Sequence, residues 1–262
     1  MMQSTINKSL RAGLLAVLAA ITSGCAGGGR APDLPPLLLV AGATGGTGRE
    51  VVTQALARGY RVRALVRDEA KAREQFGDSV QYAVGDVRNA GSLSGAMAGV
   101  SYVISAVGSN SRREPDNKPE LVDYGGVKAL AEAAREARVQ QFVLVSSMGV
   151  THEDHMLNRI LDNIMIWKLR GENSLRDSGV DYTIVRPGGL NNEAGGKLGI
   201  RVLQSDPKDS VGQIPRADVA AVCVNALGNR SAINRTLAIV SDPTRGPADW
   251  ASFFVGLKPD ER

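Results

Sequence analysis

The amino-acid sequence predicts an α/β fold built on a doubly wound parallel sheet, with a small C-terminal region appended. Three observations predict it. Short apolar runs alternate along most of the chain with stretches of helical period. The first run opens directly into a loop with glycine at every third position. The strand–loop–helix–strand unit that results spans about the 30 residues such a unit needs.

Leu37–Ala41 is unbroken apolar sequence, as suits a parallel strand covered on both faces. Gly42-Ala43-Thr44-Gly45-Gly46-Thr47-Gly48 follows. A helix comes next, with Val51, Val52, Ala55 and Leu56 on one face and Gly59 as its stop. Arg61–Val66 is the second strand, and Asp68 is a candidate cap for the helix after it. Val80–Val84 reads as a third strand ending in Gly85-Asp86, and Tyr102–Val107 as a fourth. Val127, Leu130, Ala131 and Ala134 mark a helix over Tyr124–Ala137, which Asp123 is placed to start. Gln141–Ser146 is the fifth strand, a long helical stretch runs to Ser178-Gly179, and Tyr182–Arg186 is the sixth. Val219–Leu227 reads as a core helix and Thr236–Val240 as a seventh strand. Ser109–Pro119 and Asn191–Pro215 read as polar, Gly-rich loops around a substrate pocket.

Composition narrows the function. The 262 residues are 43% hydrophobic and 22% charged, an ordinary globular balance. The net charge of +4 includes Lys8 and Arg11 in an acid-free leader, and aromatics are only 4%, so no nucleic-acid partner is expected. Cys25 and Cys223 form no disulfide framework, and Cys223 reads as a buried small hydrophobe. His152 and His155 flank Glu153 and Asp154, but their spacing matches no metal motif, so no metal is assigned.

Residues 1–25 have the three parts of an export signal: Lys8 and Arg11, the apolar run Gly13–Ile21, then Thr22-Ser23-Gly24-Cys25. This end resembles a bacterial lipobox, which implies a lipid on Cys25 as the only membrane contact. Ala26 after the cysteine implies a periplasmic, outer-membrane location. Residues 26–36 are then a Gly/Pro-rich tether and residues 37–262 the folded domain. The alternative is a cytoplasmic protein whose leader is unused. Export in the unfolded state would leave a cytosolic cofactor behind.

The glycine loop is the strongest chemical signal. Glycines allow close backbone approach, and the helix that follows offers unpaired N–H groups to a diphosphate. Gly42, Thr44, Gly45, Gly46, Thr47 and Gly48 are therefore cofactor-binding candidates of a Rossmann-type site. Arg67, about 20 residues past the loop, stands where an NAD-preferring site carries an acid, and a guanidinium suits a 2′-phosphate. NADP(H) is thus expected over NAD(H). Arg49 and Arg63 are further cations of unknown direction. Asp86 is placed to reach the adenine edge, Val87 beside it is a further cofactor-binding candidate, and Ala106, Val107 and Gly108 are placed to let the cofactor pass.

These motifs, with Val122-Asp123-Tyr124, Val145-Ser146-Ser147, Trp167-Lys168, Tyr182-Thr183-Ile184-Val185-Arg186-Pro187-Gly188-Gly189-Leu190 and Pro215-Arg216-Ala217-Asp218-Val219-Ala220, resemble the atypical short-chain dehydrogenase/reductases, NmrA-like branch, from about Leu37 to Val240. The resemblance implies a Rossmann core with a small C-terminal substrate region, a nicotinamide near Arg186–Leu190 including Pro187, and a structural role for Asp218. Some relatives carry arginine where Gly46 stands, which weakens the NADP expectation. Typical members of the wider superfamily use a tyrosine four residues before a lysine, with an upstream serine. The resemblance maps these roles onto Lys168, which would also hold the ribose, and onto Ser147 with Ser146 as alternative. Asp123 stands at the position of the usual asparagine, and Ile164 where the tyrosine would be. Three readings stay open: an oxidoreductase reducing a quinone-, flavin- or carbonyl-type acceptor without that tyrosine; a non-catalytic NADP(H)-binding sensor or scaffold; and, last, a sugar-nucleotide epimerase or dehydratase, for which about 75 residues after the sixth strand are few. The substrate and the oligomeric state are not legible.

Overall fold

The computed structural model describes residues 34–208 and 212–261. The leader, most of the tether and Cys25 lie outside the described residues.

The first strand, β1 (Leu37–Ala41), is buried along its whole length. Its side chains alternate between two apolar layers. Leu38 and Val40 join one layer, while Leu37, Leu39 and Ala41 join the other. Fully burying one such leucine stabilises the fold by about 1.5–3 kcal/mol, and this is why the strand reads as unbroken apolar sequence.

Helix α1 (Gly46–Ala57) leads to β2 (Arg61–Val66), α2 (Glu69–Phe76) and β3 (Gln81–Val84). Asp68 caps α2, its Oδ1 accepting from Lys71 N at 3.1 Å. The chain then crosses to β4 (Tyr102–Ser105), passes through a helical region ending in α3 (Val127–Glu136), and forms β5 (Gln141–Val145). Short α4 (Met156–Ile160) and long α5 (Ile164–Asp177) precede β6 (Tyr182–Pro187). Three short strands follow, β7 (Gly189–Asn191), β8 (Gly199–Leu203) and β9 (Gln213–Pro215), then α6 (Arg216–Ala226) and β10 (Arg235–Asp242).

The main sheet has the order β3-β2-β1-β4-β5-β6-β10-β8, parallel except for β8, which pairs antiparallel to β10 at the edge. The first six places are the Rossmann order. β7 and β9 form a separate parallel pair. Helices α1 and α6 cover one face; α3 and α5 cover the other. Gln141 ties sheet to helix in the interior. Its Nε2 donates to Thr183 Oγ1 and Ala226 O, both at 3.0 Å, and its Oε1 accepts from Gly228 N at 2.8 Å.

Two expectations need correction. Asn191–Pro215 is not all loop, because β8 and β9 lie within it. Leu203 and Val202 are partly buried against the core, so the segment has an apolar face that its glycines obscured. The helix expected from Tyr124 begins instead as a π-helical turn, Glu120–Gly126, and becomes α-helical only at Val127. Asp123 sits inside that turn and caps nothing.

Candidate functional site

The order of strands reverses between β1 and β4, and a cleft opens at their C-terminal ends, where ligands bind in such sheets. It has a volume of about 220 Å³ and is lined by Gly42, Thr44, Gly45, Arg67, Asp86, Val87, Ala106, Val107 and Gly108, together with Leu65, Gly85, Arg88, Asn117 and Val122. Nine of the residues expected to hold a cofactor therefore meet in one place.

The loop geometry explains its glycines. Gly42 has φ +77°, and a Cβ on it would lie 2.7 Å from Ala106 O. A Cβ on Gly48 would lie 2.0 Å from Gly42 O, so the first turn of α1 packs directly on the loop. Gly45 precedes α1 without a side-chain cap, and no acid stands in the first turn. The helix thus presents its positive end and its open N–H groups with nothing anionic of its own against them. Gly46, Thr47 and Gly48 form this first turn and shape the cleft without lining it.

Gly46 also makes room for a cation. A Cβ there would lie 2.7 Å from Cδ of Arg216, whose Nη1 donates to Asn192 Oδ1 at 2.8 Å and Asn191 O at 3.2 Å. The arginine that some relatives carry at position 46 is absent, but another reaches the same turn from α6. Contacts between the helices hold it there: Gln54 Nε2 donates to Ala217 O at 2.8 Å, and Arg58 Nη1 to Asn225 Oδ1 at 2.7 Å.

At the other end of the cleft, Arg67 Nη1 donates to Glu114 Oε1 at 2.9 Å and Oε2 at 2.7 Å. Arg88 grips Asp86 through Nε and Nη2, the latter 2.6 Å from Oδ2, and also reaches Glu114 Oε1 at 3.3 Å. The Arg88 hydrogen bonds hold the Asp86 carboxyl below the usual carboxylate range, outweighing its partial burial. Asp86 Oδ1 also accepts from Arg88 N at 2.9 Å, an Asx turn, so this carboxylate is committed within the rim. Arg63 is spent elsewhere, on Gln81 and the carbonyls of Ala96 and Ala98.

Lys168, Asp123 and Ser146 meet around a second, small cavity of about 10 Å³ that shares Val107 with the main cleft. Lys168 Nζ lies 2.6 Å from Asp123 Oδ1, with the carboxylate side chain wholly buried. Asp123 Oδ2 accepts from Ser109 N at 3.1 Å. The close approach of α5 requires Gly171, where a Cβ would lie 2.2 Å from Asp123 O. Lys168 does not pair with Glu172, which instead takes Arg186 through two bonds of 2.9 and 2.6 Å and Arg176 at 3.0 Å.

Ser147 is not part of this cluster. Its Oγ donates to Met148 O at 3.3 Å, whereas Ser146 Oγ is buried with no hydrogen-bond partner among the described residues and lines the small cavity. Pro187 lies at the buried end of β6, its carbonyl accepting from Met148 N, and lines neither cavity. Asp218 Oδ1 accepts from Gly196 N at 2.7 Å and makes no cap at the start of α6.

Sequence reasoning missed Arg88, Glu114, Asn117 and Arg216. Arg88 had a local signal, two residues past Asp86 at the end of a strand. Glu114 and Asn117 lie in the expected pocket loop Ser109–Pro119 and Arg216 in a quoted motif, but nothing local to any of them pointed to its particular contact.

A doubly wound sheet with a glycine loop, an uncapped helix start and a cleft at the point of strand reversal defines a dinucleotide-binding protein of the Rossmann type. The NAD(P)H-binding family model matches residues 42–230, and the chain belongs to that family. Among its relatives, the chloroplastic protein At2g37660 of Arabidopsis thaliana is 34% identical over 80% of this chain and 70% of its own. Sanguinarine reductase of Eschscholzia californica is 33% identical over 79% of this chain and 89% of its own. The solved structure of ChuY, an anaerobilin reductase from Escherichia coli O157:H7, superposes with a TM-score of 0.65 at 28% identity, covering 81% of this chain and all of that one. The resemblance to atypical short-chain dehydrogenase/reductases therefore holds, and with it a nicotinamide cofactor.

The lipid-anchored, periplasmic location expected from the leader is corrected by the same comparisons. Two relatives that match 80% and 84% of this chain, At2g37660 and At2g34460 of Arabidopsis thaliana, are chloroplastic proteins. No helix among the described residues is long and apolar enough to cross a membrane.

Proposed function

We propose that the chain is an NADP(H)-dependent reductase of a flat, conjugated acceptor of the quinone or flavin type, working without the usual tyrosine. One observation carries this reading. A single cleft runs from the uncapped start of α1 over Gly42–Gly45 to two arginines at the ends of β2 and β3. A dinucleotide fits that shape, because a Cβ at Gly42 or Gly48 would fill the cradle and the N–H groups of the helix start suit a diphosphate.

Arg67 and Arg88 favour a 2′-phosphate over a bare ribose. The bound nicotinamide supplies hydride. Lys168, held by Asp123, is suited to orient the ribose, and Ser146 Oγ is the free hydroxyl beside it. Ile164, four residues before Lys168, cannot transfer a proton. The acceptor therefore has to be one whose reduced anion is stabilised by conjugation and takes its proton from water. The two reductases named above support this class of activity.

Calorimetry on the full chain tests the cofactor: NADPH binds more tightly than NADH, and Arg67→Asp reverses the order. Equal affinities in the parent would refute the preference. An NADPH-oxidation screen over quinones and flavins tests turnover. The lack of a tyrosine at position 164 favours a second reading, a non-catalytic NADP(H) sensor or scaffold, and tight binding with no turnover on any acceptor would decide for it.

A further inference from the structure

We propose that Glu114 occupies the 2′-phosphate subsite before the cofactor arrives, so that this one carboxylate sets how strongly NADP(H) is preferred over NAD(H). The inference rests on the cofactor reading above and deepens it. Both Glu114 oxygens lie against Arg67 Nη1, Oε1 also meets Arg88 Nη2, and Oε2 accepts from Asn117 Nδ2 at 3.3 Å. An anion is thus already seated between the two guanidinium groups that converge on this end of the cleft, with donors on three sides.

The seat is built to be vacated. Glu114 and Arg67 side chains are 40% and 54% exposed, and exposed ion pairs are individually weak. The carboxylate stands at the tip of a closed loop. Asn110 N donates to Asn117 O and Oδ1, both at 3.2 Å, and Glu114 N to Asn110 O at 3.1 Å. Ser111 Oγ further ties the loop to Asp162 at 3.0 Å. The base of the loop is therefore fixed, and only the Glu114 side chain has to swing out. A 2′-phosphate brings more charge than a carboxylate to the same two cations and repels Glu114 as it enters. NAD(H), with a neutral 2′-hydroxyl, neither needs the seat nor displaces its occupant. Asp86, the other acid on this rim, is locked to Arg88 and does not compete.

The test measures dissociation constants of NADPH and NADH for the parent chain, Glu114→Gln, Glu114→Ala and Gly45→Asp. Both Glu114 variants are expected to bind NADPH about three- to tenfold more tightly, with NADH within about twofold and the gain shrinking as salt is raised. Unchanged or weaker NADPH binding in both would overturn the proposal while leaving the cofactor reading intact. A loss of NADH affinity would overturn it too, by making Glu114 a ligand of the ribose hydroxyl. If Gly45→Asp binds NADPH as well as the parent, or neither binds it, the underlying reading fails and this proposal with it.

Discussion

Removing the ammonium of Lys168 tests what holds the centre of the molecule together. Asp123 is wholly buried, and beyond Lys168 Nζ at 2.6 Å its only donor among the described residues is Ser109 N. Lys168→Met leaves a buried anion facing one neutral N–H. Stripping one partner from a buried pair costs about 3–5 kcal/mol. The neighbouring cavity of about 10 Å³ is at the threshold for one water, and the space vacated by the ammonium takes it past that threshold. Partial rehydration puts the expected cost near the lower end, about 3 kcal/mol, or about 6–12 °C in thermal midpoint for a chain of this size. Urea unfolding followed by far-UV circular dichroism measures it. The Asp123→Leu, Lys168→Met double variant recovers most of the loss, because an apolar pair has no charge to strand. A single variant within about 1 kcal/mol of the parent, or a double variant no better than the single, would refute the reasoning.

Three further outcomes are expected. Gly48→Ala forces a Cβ to 2.0 Å from a backbone oxygen that cannot step aside, so it abolishes dinucleotide binding and lowers stability by about 1–3 kcal/mol; retained binding in titration would contradict the loop geometry. Burial pushes the Cys223 thiol and, with help from Asp260, the Tyr182 hydroxyl each up to about 12. The unfolded chain releases these protons near pH 8.5 and 10, earlier than the fold does, so stability is complete below about pH 8.5 and declines as pH rises toward 12; a thermal midpoint flat from pH 8 to 11 would count against it, and Cys223 should resist alkylation at pH 7.5 until the chain unfolds. Ser146→Ala should slow turnover more than Ser147→Ala, since only Ser146 lines the Lys168 cavity; the reverse ranking in NADPH-oxidation assays would restore Ser147.

The chain made its Rossmann core legible because that core depends on local pattern. β1 carries its burial in five consecutive apolar residues, and the glycine loop carries its geometry in spacing, since Gly42 and Gly48 must touch. What stayed hidden depends on contacts across long separations. Glu114 lies 47 residues from Arg67, and Arg216 lies on a helix far from the Gly46 it covers. β8 hid among glycines because an edge strand needs only one apolar face. Ser146 and Ser147 are adjacent at the end of β5, and the residue pattern alone did not say which of them lines the cavity; it is Ser146.

The π-helical turn at Glu120–Gly126 makes chain length itself a constraint on chemistry. Such a turn holds one residue more than an α-helix would, and Asp123, which meets Lys168 Nζ, lies within it. Deleting any single residue of the seven would let the segment relax to ordinary helix while rotating everything before it by about 100°. The exposed side chains of this stretch, Glu120 and Leu121, are therefore open to substitution, but its residue count is not, because a change there unhitches the buried ion pair from the cleft it adjoins.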